Sequence, residues 1–294
     1  MNKNVLKTWA LMTGFFVFVV VVGFVFARIF ASPGILYFAV VLSLAMNIAS
    51  YWFSDKIALA VSGAKPAAEK DYPELFKAVE KTSRLAGIPM PRVYVIGDAS
   101  PNAFATGRNK NHAAVAATTG ILQTLNAGEL EGVLAHEISH IKNRDILVSS
   151  IAVVLAGVIA MVSDFFLRMT FFRSIFGGRD SENENSGILM VVGIIAAILA
   201  PIAATLIQLA VSRRREFMAD ESGARLIKDS GPLASALEKI HNNPKQLTRA
   251  SSATAHLYID NPFKRKDGGG WFINLFMTHP PIGERIKRLK ALSL

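Results

Sequence analysis

Four long apolar runs limit what this chain can fold into. Trp9 to Ala27 carries no charge and is dense in Phe and Val, and Gly34 to Phe53 follows after only a few residues. Ile146 to Phe166 and Ile188 to Val211 form a second pair. Runs of about 20 apolar residues match the helix length that crosses a bilayer. Inside lipid every backbone polar group must be satisfied within the segment, so such runs are helices. Composition agrees, with 51% hydrophobic and only 18% charged residues. A buried pair of globular helices is the alternative for the second pair, which holds Asp164 near an outer end and is interrupted by Pro201 and Gln208.

These runs divide the chain into an N-terminal transmembrane hairpin (1–53), a soluble segment (54–145), a second transmembrane pair (146–211) and a second soluble segment (212–294). A cleaved signal would share the basic start at Lys3 and Lys7, but its apolar core is shorter and a small-residue cleavage site should follow. Ser32-Pro33-Gly34 marks a tight turn between the first two helices, and Tyr51 and Trp52 suit an interfacial position. The net charge of +10 fits an anionic membrane surface. No aromatic-and-basic nucleic-acid motif accompanies it, so no nucleic-acid partner is expected. With four crossings both termini share a side, with Lys56, Lys142, Arg144 and Arg213 to Arg215. By the positive-inside rule that side is the cytoplasm.

Within the first soluble segment, Asp71 to Gly87 reads as a helix with an acidic start and a glycine stop. Pro91 to Ile96 reads as a strand. Asn102 to Gly107 and Ala113 to Thr118 read as a strand pair joined by the polar turn Arg108 to His112, and Gly120 closes the small sheet. Downstream, Ser212 to Ile227 and Gly231 to His241 read as helices, and Pro281 to Leu292 as a final basic helix.

The chemistry starts at His136-Glu137-Ile138-Ser139-His140, an H-E-x-x-H motif. Asn126 can cap its helix, Glu129 and Glu131 suit the positive end of the helix dipole, and Leu130, Val133, Leu134, Ile138 and Ile141 make an apolar stripe. On such a helix His136 and His140 project from one face and can bind one zinc ion. Glu137, about 100° round the helix, can reach a water on that ion. The chain has no cysteine, so any zinc must be held by His, Asp or Glu. Two ordinary histidines on a half-exposed helix are the plain alternative.

A catalytic zinc usually keeps three protein ligands. The candidates downstream on the motif's side of the membrane are Glu216, Asp220, Glu221, His241, His256 and His279. Depth favours Glu216. If the motif helix runs on continuously into the third span, His140 lies about 9 Å below the membrane entry, and Glu216 lies about 7.5 Å below the exit of the fourth. Asp220, one turn on, can orient a ligand histidine, while Glu221 points away. The plain alternative has Glu216 neutralising the preceding arginines.

His136-Glu137-x-x-His140, two apolar spans, then Ser212-Arg213-x-Arg215-Glu216-x-x-Ala219-Asp220 resembles the HtpX family of bacterial membrane metallopeptidases, relatives of the eukaryotic CAAX prenyl proteases. The resemblance extends to Asn102 to Gly107 and to Thr278-His279-Pro280-Pro281. It implies a mainly α fold with four transmembrane helices and a cytoplasmic zincin-like protease domain containing a small β-sheet. It also implies a zinc endopeptidase of the cytoplasmic membrane, one Zn2+ per subunit, acting in membrane-protein quality control. Its substrates would be membrane proteins, and itself by autoproteolysis. By carry-over His136, His140 and Glu216 would be ligands and Glu137 the catalytic base. His279, restrained by two prolines, is a candidate donor to the developing oxyanion, with a plain turn histidine as the alternative. Asn102, Ala103 and Phe104 could form an edge to which an extended substrate adds, or an ordinary strand.

Two rivals remain. An intramembrane protease is disfavoured by Lys142, Asn143, Arg144 and Asp145, which follow the motif closely and are costly in lipid. A non-enzymatic membrane protein with a structural zinc site would tolerate loss of Glu137.

Overall fold

A computed structural model of the chain describes residues 3–29, 31–159, 213–243, 259 and 280–294. The first two apolar runs form long helices, α1 (Lys3–Ile29) and α2 (Pro33–Val61), packed against each other. Both are long and apolar enough to cross a membrane. Most large apolar side chains exposed among the described residues lie on them, including Trp9, Val17, Phe24, Tyr37, Phe38, Val41 and Trp52. A stable molecule in water would not leave such a continuous apolar surface bare. The last turns of α2 pass beyond Phe53 and enter the rest of the fold, where Ala58 and Leu59 are buried.

Then come β1 (Ala64–Pro66), α3 (Pro73–Ala86), β2 (Arg92–Ile96), β3 (Ala103–Gly107), a single 3-10 turn (Lys110–His112) and β4 (Ala113–Thr118). The strands form one mixed sheet in the order β1-β2-β4-β3, with β2 and β4 parallel and the other pairs antiparallel. Helix α3 stops where Gly87 takes φ +68°, the left-handed cap for which glycine is suited. Strands β3 and β4 pair across the polar turn as the sequence implies. The strands are nearly continuously apolar because both faces are covered. Val93, Val95, Ala103, Ala105, Val115 and Ala117 face one cluster, and Ile96, Phe104, Ala114 and Ala116 face Ala58 and Leu59.

The metal-motif helix α5 (Ala127–Lys142) follows a short helix α4 (Thr119–Thr124). Gly120 therefore lies inside α4 rather than closing the sheet. Asn126 and Glu129 form a reciprocal capping box at the start of α5. Leu134, Ile138 and Ile141 are fully buried, each worth about 1.5–3 kcal/mol of transfer free energy.

The expectation of one continuous helix leading into the third run is corrected here. Helix α5 ends at Lys142, Arg144 takes φ +61°, and a new helix α6 (Asp145–Ile159) begins at once. Arg144 in the left-handed region breaks the ladder of hydrogen bonds and turns the chain, so the depth estimate drawn from a straight helix does not apply. The described part of α6 is buried, with Leu147, Ile151 and Leu155 against Phe15 of α1. Residues 160–212, which include the rest of the second apolar pair, lie outside the described residues. After them come α7 (Arg213–Ile227), α8 (Gly231–Asn242) and α9 (Ile282–Lys290). Helices α7 and α8 both pack on α5, which makes it the hub of the helical layer.

Candidate metal centre

Helix α5 sets His136 and His140 one turn apart, and α7 brings Glu216 to them. The two Nε2 atoms are 3.1 Å apart. Carboxylate oxygens of Glu216 lie 3.7 Å from Nε2 of His136 and 3.5 Å from Nε2 of His140. The ligating atoms of all three residues lie within 4.8 Å of one another, in a largely buried site. Close approach of the helices makes this possible. A Cβ added at Gly223 of α7 would lie 2.9 Å from the His136 backbone nitrogen and 3.0 Å from the Ala135 carbonyl carbon.

Each histidine is gripped from behind. Nδ1 of His136 is 2.9 Å from an Asp220 oxygen, and Nδ1 of His140 is 3.1 Å from an Asp145 oxygen. A neutral ring with its proton on Nδ1, toward the carboxylate, presents Nε2 as a lone pair. Two such lone pairs 3.1 Å apart repel unless a proton or a metal ion sits between them. Tetrahedral zinc with ordinary zinc–nitrogen lengths would separate them by about 3.3 Å. The residues present therefore fit a metal ion of this type in donor chemistry and spacing.

Asp220 is fixed in turn by Arg285 of α9, whose Nε and Nη2 donate to its two oxygens at 2.9 and 2.7 Å. Arg285 is completely buried, which a guanidinium tolerates only when paired. Burial would raise the pKa of Asp220. The adjacent Arg285 charge and hydrogen bonds override it and hold the carboxyl well below the usual range. Burial would lower that of His136. The neighbouring Asp220 and Glu216 carboxylates push it up to about 10 instead. Burial raises Glu137, opposed by the neighbouring histidines. The backbone N–H of Ala105, on edge strand β3, opposes the rise as well.

Sequence reasoning thus placed His136, His140, Glu216 and Asp220 in one cluster, and the structure brings these four together. Glu221 faces away and pairs with Arg225 on the surface. Ala103 and Phe104 lie on β3, next to α5, with Phe104 buried against Ala58 and Leu59. Asn102 is buried, and its Oδ1 accepts from the backbone N–H of Ala103 and of Ile259 at 3.0 and 2.9 Å. Its side-chain carbonyl is therefore engaged by the chain itself. His279 and His256 lie outside the described residues.

Two contributors were missed. Asp145 had a signal, being a carboxylate within two turns of the motif. Arg285 also had one, since it shares a helical face with the buried Ile282 and Leu289.

The site's pattern meets an independent finding. The sequence profile of peptidase family M48 matches residues 69–293. This chain belongs to peptidase family M48. It is therefore an enzyme, a metallopeptidase, and the non-enzymatic alternative falls away. The chain is similar to the protein named Protease HtpX homolog of Syntrophobacter fumaroxidans, 51% identical over 259 residues, covering 86% of this chain and 88% of that protein. It is 45% identical to the homolog of Ralstonia pickettii over 294 residues, covering 99% and 97%. With the homolog of Pyrococcus furiosus it shares 49% identity over 258 residues. The fold resembles the crystal structure of S. mikatae Ste24p, with a TM-score of 0.50 and 16% identity. That match covers 98% of this chain and 65% of the longer one, and it bears on the fold alone. Together with the two apolar N-terminal helices, these likenesses identify an M48 metallopeptidase of the membrane.

Proposed function

We propose that this M48 peptidase is a zinc-dependent endopeptidase that cleaves membrane proteins on the cytoplasmic side of the cell's inner membrane, in membrane-protein quality control. The observation that carries the zinc reading is the pair of imidazole Nε2 atoms 3.1 Å apart, each ring gripped at Nδ1 by its own carboxylate. His136, His140 and Glu216 would be the ligands, with Asp220 and Asp145 fixing the imidazoles. Bound there, zinc would acidify the attacking water and polarise the scissile carbonyl.

Glu137 takes the proton from the water and later delivers it to the leaving amine. Its burial-raised pKa suits a group that must both accept and return a proton. His279 is the proposed further donor to the oxyanion. The Asn102 to Gly107 edge is the proposed seat for an extended substrate added as a strand. Seating it would exchange the Ile259 contact of Asn102 and the Ala105 contact of Glu137 for contacts with the substrate backbone.

Four spans with both termini inside remain the proposed topology. The start of α1 touches Asp145, and the end of α2 packs on the sheet, so the hairpin's open end and the metal site lie together. The basic residues on that side favour the cytoplasm. Membrane proteins are then the substrates within reach, including other copies of this chain.

Zinc-dependent cleavage of a membrane-protein substrate in detergent, comparing wild type with Glu137→Gln, tests the reading. The variant should keep its zinc and lose at least about 100-fold in rate. Undiminished proteolysis by purified Glu137→Gln would rule out Glu137 as the base.

A further inference from the structure

We propose that Asn4, at the start of the first membrane helix, is a positioning residue of the metal centre, acting through Asp145 on His140. The inference rests on the metal-site reading above and adds a component far away in sequence.

The Asn4 side-chain nitrogen carries two N–H groups and has two acceptors. It donates to Asp145 Oδ1 at 2.8 Å and to the Asn143 carbonyl at 3.1 Å. Both partners only accept, so the amide orientation is fixed, because its oxygen could not replace its nitrogen there. The other Asp145 oxygen lies 3.1 Å from Nδ1 of His140. Arg215 of α7 approaches Asp145 at 3.6 Å, too far for a good hydrogen bond, so it supplies charge rather than direction.

Asp145 sits directly after Arg144, whose left-handed backbone breaks the chain between α5 and α6. Asn4 clamps that break at both Asn143 and Asp145. The clamp aims the carboxylate at His140 and so fixes the ring's rotation and tautomer. Around it α1 packs on α6, with Leu11 near Val148 and Phe15 near Ile151, so the clamp is anchored over several turns. A shift of α1 in the membrane would therefore reach the metal site through Asn4.

The test uses the full chain in detergent, with zinc affinity measured by competition with a chelator and ligand geometry by the visible spectrum of the Co2+-loaded site. Asn4→Ala should weaken zinc binding about tenfold, the lower end for residues that support metal ligands. Asn4→Asp is the sharper variant. It keeps the size of the side chain and favours the start of helix α1, where negative charge is stabilising. Its oxygens would nevertheless face the two acceptors, so it should weaken zinc at least as much and shift the Co2+ bands. On an Asp145→Ala background, either substitution should have little further effect.

Asn4→Asp with wild-type affinity and spectrum would overturn the proposal. So would losses that simply add to that of Asp145→Ala. A wild-type chain that takes up neither zinc nor cobalt would overturn the metal reading, and this inference with it.

Discussion

His136 concentrates the electrostatics of the site. Its ring is buried among Asp220, Glu216 and His140, with Arg285 just behind Asp220. Its pKa is raised from 6.5 to about 10, so the metal-free folded chain holds a proton there at neutral pH. The sign of the effect on stability follows. A raised pKa contributes stability that is complete below about pH 6.5 and is lost as pH climbs through about 10. Zinc needs the same ring as a neutral ligand, so zinc and proton compete. Zinc uptake near pH 7 should release protons, seen by calorimetry in buffers of different ionisation enthalpy, and affinity should rise with pH. No proton release would mean that His136 is already neutral before the metal arrives. The identity of this residue was legible because H-E-x-x-H is local, one turn of one helix. Arg285 was harder, because only its position on the buried face of α9 hinted that a charge there needed a buried partner. Asn4 and Asp145 lie 141 residues apart, and nothing local in either segment announces that contact.

Helix α7 delivers Glu216 and Asp220, and its distance from α5 decides whether they reach. Gly223 sets that distance. In a helix interior glycine costs about 1 kcal/mol relative to alanine, so propensity alone would favour Gly223→Ala. Contact predicts the reverse. The new methyl group would meet backbone atoms of Ala135 and His136 at 2.9 to 3.1 Å, and backbone cannot swing aside. The variant should lose about 1–3 kcal/mol of stability in the metal-free chain and bind zinc more weakly. Thermal unfolding and a zinc titration would check both, and a stabler variant with unchanged affinity would contradict the close packing.

Most elements were readable for similar local reasons. The asparagine cap of α5, the glycine stop of α3 and the polar turn between β3 and β4 are short-range patterns. Strand β1 is three residues long and was invisible. The break between α5 and α6 was invisible too, because arginine carries no preference for the left-handed backbone that Arg144 adopts.

At the scale of the whole molecule, the metal centre is a joint between distant parts of the chain. Helix α5 supplies two imidazoles, α7 a carboxylate, α9 the arginine behind Asp220, and α1 the amide behind Asp145. The membrane hairpin therefore bears on the metal site rather than merely tethering it, which suits the proposed cleavage of substrates embedded in the same bilayer. Depth matching pointed to Glu216 even though the helix it assumed is broken after Lys142. The ligand set that spans these parts can be tested by metal content. Purified wild type and Glu137→Gln should each hold about one zinc per chain, while Glu216→Ala, shown by thermal unfolding to be folded, should hold far less and cleave nothing. Full zinc occupancy with undiminished cleavage in Glu216→Ala would contradict it.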